Sequence, residues 1–291
     1  MSLYRLSFSF HKGVMDLHYK FVSNSHAVPY LLKGSIKFTP IKELNDPSEL
    51  TSNFILSDVL DSLSRLRRDG YSEEDLFHLK QQGKLLARLS PGSLAVHVPP
   101  TREQANWLIR SSFYDQTHTL ERLLERTANE MSQKVGLFCV SKRFDSLPMW
   151  AHYSANAAGL VVEFRGLNEV FQGDQTGILN QLVTVRYNRK STGVTFDPRS
   201  HESLFFEKFD DWDYEQEVRI VRPLDDCKAL DSEGTRLYLH EIPKECISRL
   251  ILGWRMEPGE AANIREQARS CSHPVAVVEA GFKRGQIELS K

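Results

Sequence analysis

The sequence predicts an α+β fold, with a mixed, mainly antiparallel sheet core and a helical insertion at about residues 55–134, all within one domain spanning residues 1–291. Three observations lead there. Strand-like runs rich in aromatic and β-branched residues open the chain. Apolar residues at helical spacing fill the stretch from 55 to 134. Short strand-like runs then dominate, with a single late helix. This order fits α+β better than the regular alternation of a doubly wound α/β fold.

Taken in order, Leu17 to Val22 reads as a strand, and Val28 to Lys33 as a short helix closed by Gly34. Ser35 to Thr39 is a second strand, stopped by Pro40. Asn45-Asp46-Pro47 is a turn, because Asn and Asp bond nearby backbone and Pro fixes φ. Leu56, Val59, Leu60, Leu63 and Leu66 form a helical stripe that Gly70 ends. Ser72 caps the next helix, with Asp75 three residues on. Thr101-x-x-Gln104 opens a third helical run to about Gln133. Strands are expected at Val135–Ser141, Gly159–Phe164, Gln181–Tyr187, Glu217–Val221, Arg236–His240, Arg249–Gly253 and Val275–Val278. A helix is expected at Glu257–Ser270.

Composition narrows the function classes. A net charge of −1 over 291 residues gives no global drive toward nucleic acid or an anionic membrane. Cys139, Cys227, Cys246 and Cys271 have neither Cys-x-x-Cys nor zinc-finger spacing, so no metal is expected. Cys139, in an apolar run, reads as a small core residue. The apolar run near the first residue is too short and interrupted for a signal peptide, and no stretch approaches a membrane span of ~20 apolar residues. The expectation is a cytoplasmic protein with no membrane partner. Phosphate-binding glycine loops, His-Glu-x-x-His and Gly-x-Ser-x-Gly are absent from the sequence.

Three segments can carry chemistry. Met149-Trp150-Ala151-His152-Tyr153 places a stacking face, a titratable ring and a hydroxyl within four residues. The competing reading is a short amphipathic helix with Trp150 and Tyr153 turned to the core. In Trp212 to Ile220, strand alternation puts Glu215, Glu217 and Arg219 on one face. That face is either a wet surface with a weak ion pair or a site where two close carboxylates split their pKa values. Asn45-Asp46-Pro47 is a binding turn or a plain one.

Together these segments resemble the bacterial domain-of-unknown-function family 2971. The matching pieces are His18-Tyr19-Lys20-Phe21, Leu44-Asn45-Asp46-Pro47-Ser48-Glu49, Cys139-Val140-Ser141, Met149 to Tyr153, Gly159 to Phe164, Lys208, and Trp212 to Arg219. Ser48 and Leu44 stand where the pattern has aromatics. The motif order in turn looks like that of ADP-ribosyltransferases, which implies a split-sheet fold and NAD as substrate. By that resemblance Glu217 is the catalytic carboxylate and Glu215 its partner in a Glu-x-Glu arrangement. Lys20 and Tyr19 on the first strand, Asn45, Asp46, Trp150, His152, Tyr153 and Arg219 would contact NAD. Lys20 would hold the pyrophosphate, Asn45 or Asp46 the adenosine ribose, and Trp150 or Tyr153 would stack on nicotinamide.

The implied reaction cleaves the nicotinamide–ribose bond, by ADP-ribosyl transfer or NAD hydrolysis, as in a bacterial toxin or defence effector. The acceptor stays open among protein, DNA, RNA and water. Two rivals stand beside it. Glu163-Phe164-Arg165 and Glu217-Val218-Arg219 are Glu-x-Arg pairs of the kind a metal-dependent nuclease uses, although a Lys is usual at the last position. A non-catalytic nucleotide-binding or interaction module would use the same residues without turnover.

Overall fold

A computed structural model describes residues 16–46, 56–89, 99–111, 117–174, 178–188, 203–232 and 234–290. Its strands are β1 (Leu17–Val22), β2 (Ser35–Pro40), β3 (Val135–Ser141), β4 (Leu160–Arg165), β5 (Val183–Thr184), β6 (Arg186–Asn188), β7 (Glu207–Phe209), β8 (Glu217–Pro223), β9 (Lys228–Ser232), β10 (Thr235–Glu241), β11 (Ile247–Leu252), β12 (Ala276–Lys283) and β13 (Gln286–Leu289). The helices are α1 (Val28–Leu31), α2 (Leu56–Asp69), α3 (Glu73–Leu89), α4 (Arg102–Ser111), α5 (Thr117–Lys134), α6 (Leu147–Tyr153), α7 (Leu167–Val170), α8 (Ser203–Phe206) and α9 (Pro258–Ser270). This is the α+β class expected from the sequence. Among the described residues its pairs β1–β3, β1–β4, β2–β3, β2–β10, β9–β10, β4–β11, β5–β8 and β12–β13 are antiparallel, and β11–β12 and β6–β7 are parallel.

The chain forms two compact units. The first comprises Met1–Gly34, Ser141–Val170 and Ile242–Lys291. Its strands run in the order β13-β12-β11-β4-β1. The central strand β4 (Leu-Val-Val-Glu-Phe-Arg) is buried along most of its length, as its near-continuous apolar run requires. A β-bulge interrupts the β11–β4 register between Ile247 and Arg249. Gly159 and Gly253 lie where the backbone approaches closely: a Cβ on Gly253 would stand 2.1 Å from the Ala157 carbonyl oxygen.

The second unit comprises Ser35–Val140 and Phe171–Glu241. Its strands run β3-β2-β10-β9, with β8 pairing β3 and β5. Leu85 and Leu89 of α3 and Met131 of α5 join Val135, Leu137, Phe205, Phe206 and Val221 in one buried cluster. The helical stripe of this stretch therefore packs on strand residues, while Leu63, Leu66 and Ile109 form a smaller cluster between α2 and α4. Ser72 and Asp75 make a reciprocal capping box: the Asp75 amide donates to Ser72 Oγ at 3.0 Å and the Ser72 amide to Asp75 Oδ2 at 2.9 Å. Gly70, at φ +78°, takes the left-handed turn that ends α2.

Some element boundaries differ from the sequence reading. The third helical run is two helices, α4 and α5, with residues 112–116 outside the described ones. The alternating run Gln181–Tyr187 is split at Val185, whose amide donates to the Glu217 carbonyl at 2.9 Å. Strands β7, β9 and β13 carried no signal. β9 lies at a sheet end and exposes three of its five residues, so no buried face imposes an apolar alternation on it, while β13 is only four residues long. Of the turn Asn45-Asp46-Pro47, Pro47 lies outside the described residues.

Candidate functional site

A dense charged cluster sits in the second unit where β7, the following 3-10 turn and β8 meet. Lys208 on β7 puts its ammonium 2.8 Å from Glu215 Oε2 and 3.5 Å from Glu217 Oε2. The same ammonium lies 4.6 Å from the centroid of the Trp212 ring. Arg219 Nη2 donates to Glu217 Oε2 at 2.9 Å, and Nη1 to the Phe205 carbonyl at 2.8 Å. All four charged side chains are buried, Arg219 to 1% exposure.

The local sequence explains how the carboxylates converge. Asp210–Glu215 forms a 3-10 turn with Asp210, Asp211 and Asp213 in its first turn, where acidic residues are favoured. Gln216 closes it in the left-handed region at φ 44°, a conformation that strains a non-glycine residue. β8 begins only at Glu217. Glu215 is thus not on the strand, contrary to the alternation argument, and it reaches the cluster from the turn. Glu217 and Arg219 do share a strand face. That face is not wet: β8 is buried on both sides, because Phe205, Phe206 and Val221 belong to the core that covers it.

Burial by itself would raise the Glu217 pKa. The Arg219 guanidinium, the Lys208 ammonium, and hydrogen bonds from Arg219 and the Cys139 thiol outweigh it and hold the carboxyl at about 2. Glu217 is therefore a fixed negative charge at neutral pH. Cys139, expected to be a plain core residue, is half-buried and serves this carboxylate. Tyr187 on β6 completes the group: its hydroxyl accepts the Glu217 amide at 2.8 Å. Burial pushes the Tyr187 phenol up. The Glu217 amide opposes this and the Glu217 and Glu215 charges add to it.

The remaining candidates fall elsewhere. In the second unit Asn45 is exposed and Asp46 buried, after the 3-10 turn Ile41–Glu43. In the first unit Tyr19 and Lys20 are adjacent on β1, so their side chains leave on opposite faces rather than forming one contact. Trp150 is 1% exposed. Its Nε1 donates to the Phe144 carbonyl at 2.6 Å, and its ring lies 5.6 Å from Phe21 and 5.2 Å from Trp254. The indole is taken up by packing, which corrects its reading as a nicotinamide platform. His152 is exposed and Tyr153 half-buried, their rings 6.2 Å apart.

Sequence reasoning missed a second polar cluster in the first unit. Glu163, buried on β4, accepts Ser248 Oγ at 2.7 Å and has Arg249 Nε at 3.6 Å. Tyr19 also bonds this carboxylate; burial and then Glu163 push its phenol up to about 12. The bulge in β11 aims consecutive residues, Ser248 and Arg249, at one carboxylate, which a period of two cannot forecast. The role of Lys208 was equally hidden, since nothing in its spacing from Glu215 and Glu217 announces contact.

Among the described residues, no group of three or more His, Cys, Asp or Glu is placed to hold a metal ion, and no helix is long and apolar enough to cross a membrane. No curated protein and no solved structure matches the chain. Residues 149–220, from Met149 of α6 to Ile220 of β8, match a family described as protein of unknown function (DUF2971).

Proposed function

We propose that the chain cleaves the nicotinamide–ribose bond of NAD, as an ADP-ribosyltransferase or NAD glycohydrolase, with Glu217 as the charge-stabilising carboxylate and Glu215 as its partner. The observation that carries this reading is the buried Glu217 carboxylate set between two cations, Arg219 Nη2 at 2.9 Å and the Lys208 ammonium at 3.5 Å, which hold its pKa below the ordinary carboxylate value. A carboxylate of that kind does not exchange protons near pH 7, so general acid–base work is closed to it. Opposing a developing positive charge is open to it. Cleavage of NAD builds such a charge: the C–N bond breaks, its electron pair leaves on nicotinamide, and the ribosyl carbon becomes cationic until water or an acceptor closes on it. Lys208 occupies the cationic position between the two carboxylates at rest, 2.8 Å and 3.5 Å away. Arg219 is fixed by its bond to the Phe205 carbonyl. Lys208 is then the group that yields to the cationic sugar.

The test is nicotinamide release by the purified chain, with NAD affinity measured in parallel. Turnover that survives Glu217→Gln would remove this residue from the mechanism.

A second reading is favoured by one observation. Lys208 and Arg219 offset Glu215 and Glu217 one for one, inside a core. A compensated buried cluster of this type pins a strand without chemistry. It suits a non-catalytic nucleotide-binding or interaction module, for which saturable NAD binding without nicotinamide release is the expected result. Magnesium-dependent cutting of a plasmid would point to the nuclease alternative instead.

A further inference from the structure

We infer that Tyr187 is a specificity-determining residue whose hydroxyl proton is donated to a ribose hydroxyl held at Glu217. The inference rests on the NAD reading above and deepens it.

The placement comes from the backbone. Val183 and Thr184 pair with Arg219 and Val218, and the Val185 amide then donates to the Glu217 carbonyl at 2.9 Å. The ladder ends there. The next group offered to β8 is a side chain: the Tyr187 oxygen accepts the Glu217 amide at 2.8 Å. Tyr187 thus stands where a strand partner would, and Glu217 is clamped through both its amide and its carbonyl. The phenol oxygen uses a lone pair in this bond, which leaves its hydrogen unspent. Among the described residues no group takes that hydrogen.

The phenol keeps its proton, because burial and the charges of Glu217 and Glu215 disfavour a further anion there. The site therefore sets one neutral donor at the Glu217 backbone, within electrostatic reach of the Glu217 and Glu215 carboxylates. A ligand hydroxyl matches that pair, giving its proton to a carboxylate and accepting the one from Tyr187. An aliphatic group satisfies neither, and a second anion is repelled. The chemistry points to a sugar hydroxyl, and a vicinal pair would use Glu215 as well.

The experiment compares NAD with its 2′-deoxy and 3′-deoxy nicotinamide-ribose analogues, for the wild type and for Tyr187→Phe. Both nicotinamide release and calorimetric binding are measured. For the wild type we expect one analogue to be worse than NAD by roughly tenfold or more, the scale of one buried hydrogen bond. Tyr187→Phe should lose a similar factor with NAD and show little further loss with that same analogue. The ratio is read within one preparation, so a smaller active fraction cancels. Tyr187→His, whose ring nitrogen can still accept the Glu217 amide, serves if the Phe variant does not fold. A variant that discriminates among the three compounds as the wild type does would overturn the assignment. Binding without nicotinamide release would overturn the cleavage reading while still scoring Tyr187 on the affinities. Neither binding nor release from the wild type would overturn both.

Discussion

Arg219 Nη2 lies 2.9 Å from Glu217 Oε2, with both side chains withdrawn from solvent. Inside a protein such a pair is worth less than its Coulomb energy suggests, because both ions lose their hydration. Removing one partner is a different matter, since it strands the other charge.

Arg219→Met should therefore destabilise the protein by about 3–5 kcal/mol. Glu217→Leu combined with Arg219→Met should recover most of that loss, leaving Lys208 and Glu215 as a matched pair. Urea unfolding of the single and double variants checks this. Equal losses in both would show that no stranded charge is involved.

Acid should expose the same pair. The Glu217 pKa in the folded chain lies below its ordinary value of 4.5, at about 2. Its contribution to stability is fully present above 4.5 and is lost as pH falls through about 2. Urea midpoints followed across that window should decline more gently for Glu217→Gln than for the wild type. Parallel declines would mean the carboxyl titrates normally.

For activity, Glu217→Gln keeps shape and removes charge. Nicotinamide release should fall by roughly two to three orders of magnitude, with NAD affinity changed far less because the side-chain oxygen left by Glu217→Gln still accepts the ribose hydroxyl. Glu215→Gln should impair transfer to an acceptor more than hydrolysis. A reversed order of the two effects would reassign the pair.

Trp150 should act on folding alone. Trp150→Phe removes the Nε1 donor and leaves the Phe144 carbonyl without it, a loss of about 1–3 kcal/mol. Trp150→Ala should cost about 3–5 kcal/mol, as for other buried aromatics. NAD affinity of the folded fraction should not change. A weakened affinity at full folding would return the indole to the binding site.

Much of the fold was legible because local chemistry carried it. The Ser72–Asp75 capping box, the glycine after α2 and the apolar run of β4 each state their conformation within a few residues. Strands without a buried face, such as β9, left no such mark. The candidate site was legible only in part. Glu217 and Arg219 share a face by alternation, but the left-handed Gln216 breaks that alternation before Glu215. Tyr19 and Lys20 were grouped by adjacency, which on a strand separates side chains instead of joining them.

By itself, then, the sequence determined the α+β class and the order of its longer elements, and it marked Glu215, Glu217 and Arg219 as a group. Short-range rules suffice for this: a repeat of two or 3.6 residues, a cap, a turn residue. Only the tertiary structure decided that this group is buried, that Lys208 bridges it, and that Cys139 and Tyr187 attend Glu217. Alternation divides a strand into two faces but cannot say whether the second one is covered. Here the cover comes from Phe205 and Phe206 and from Leu85, Leu89 and Met131, far away along the chain. Those residues exclude water around Glu217, which by itself disfavours its charge; the Arg219 guanidinium and the Lys208 ammonium enclosed with it hold it as a carboxylate.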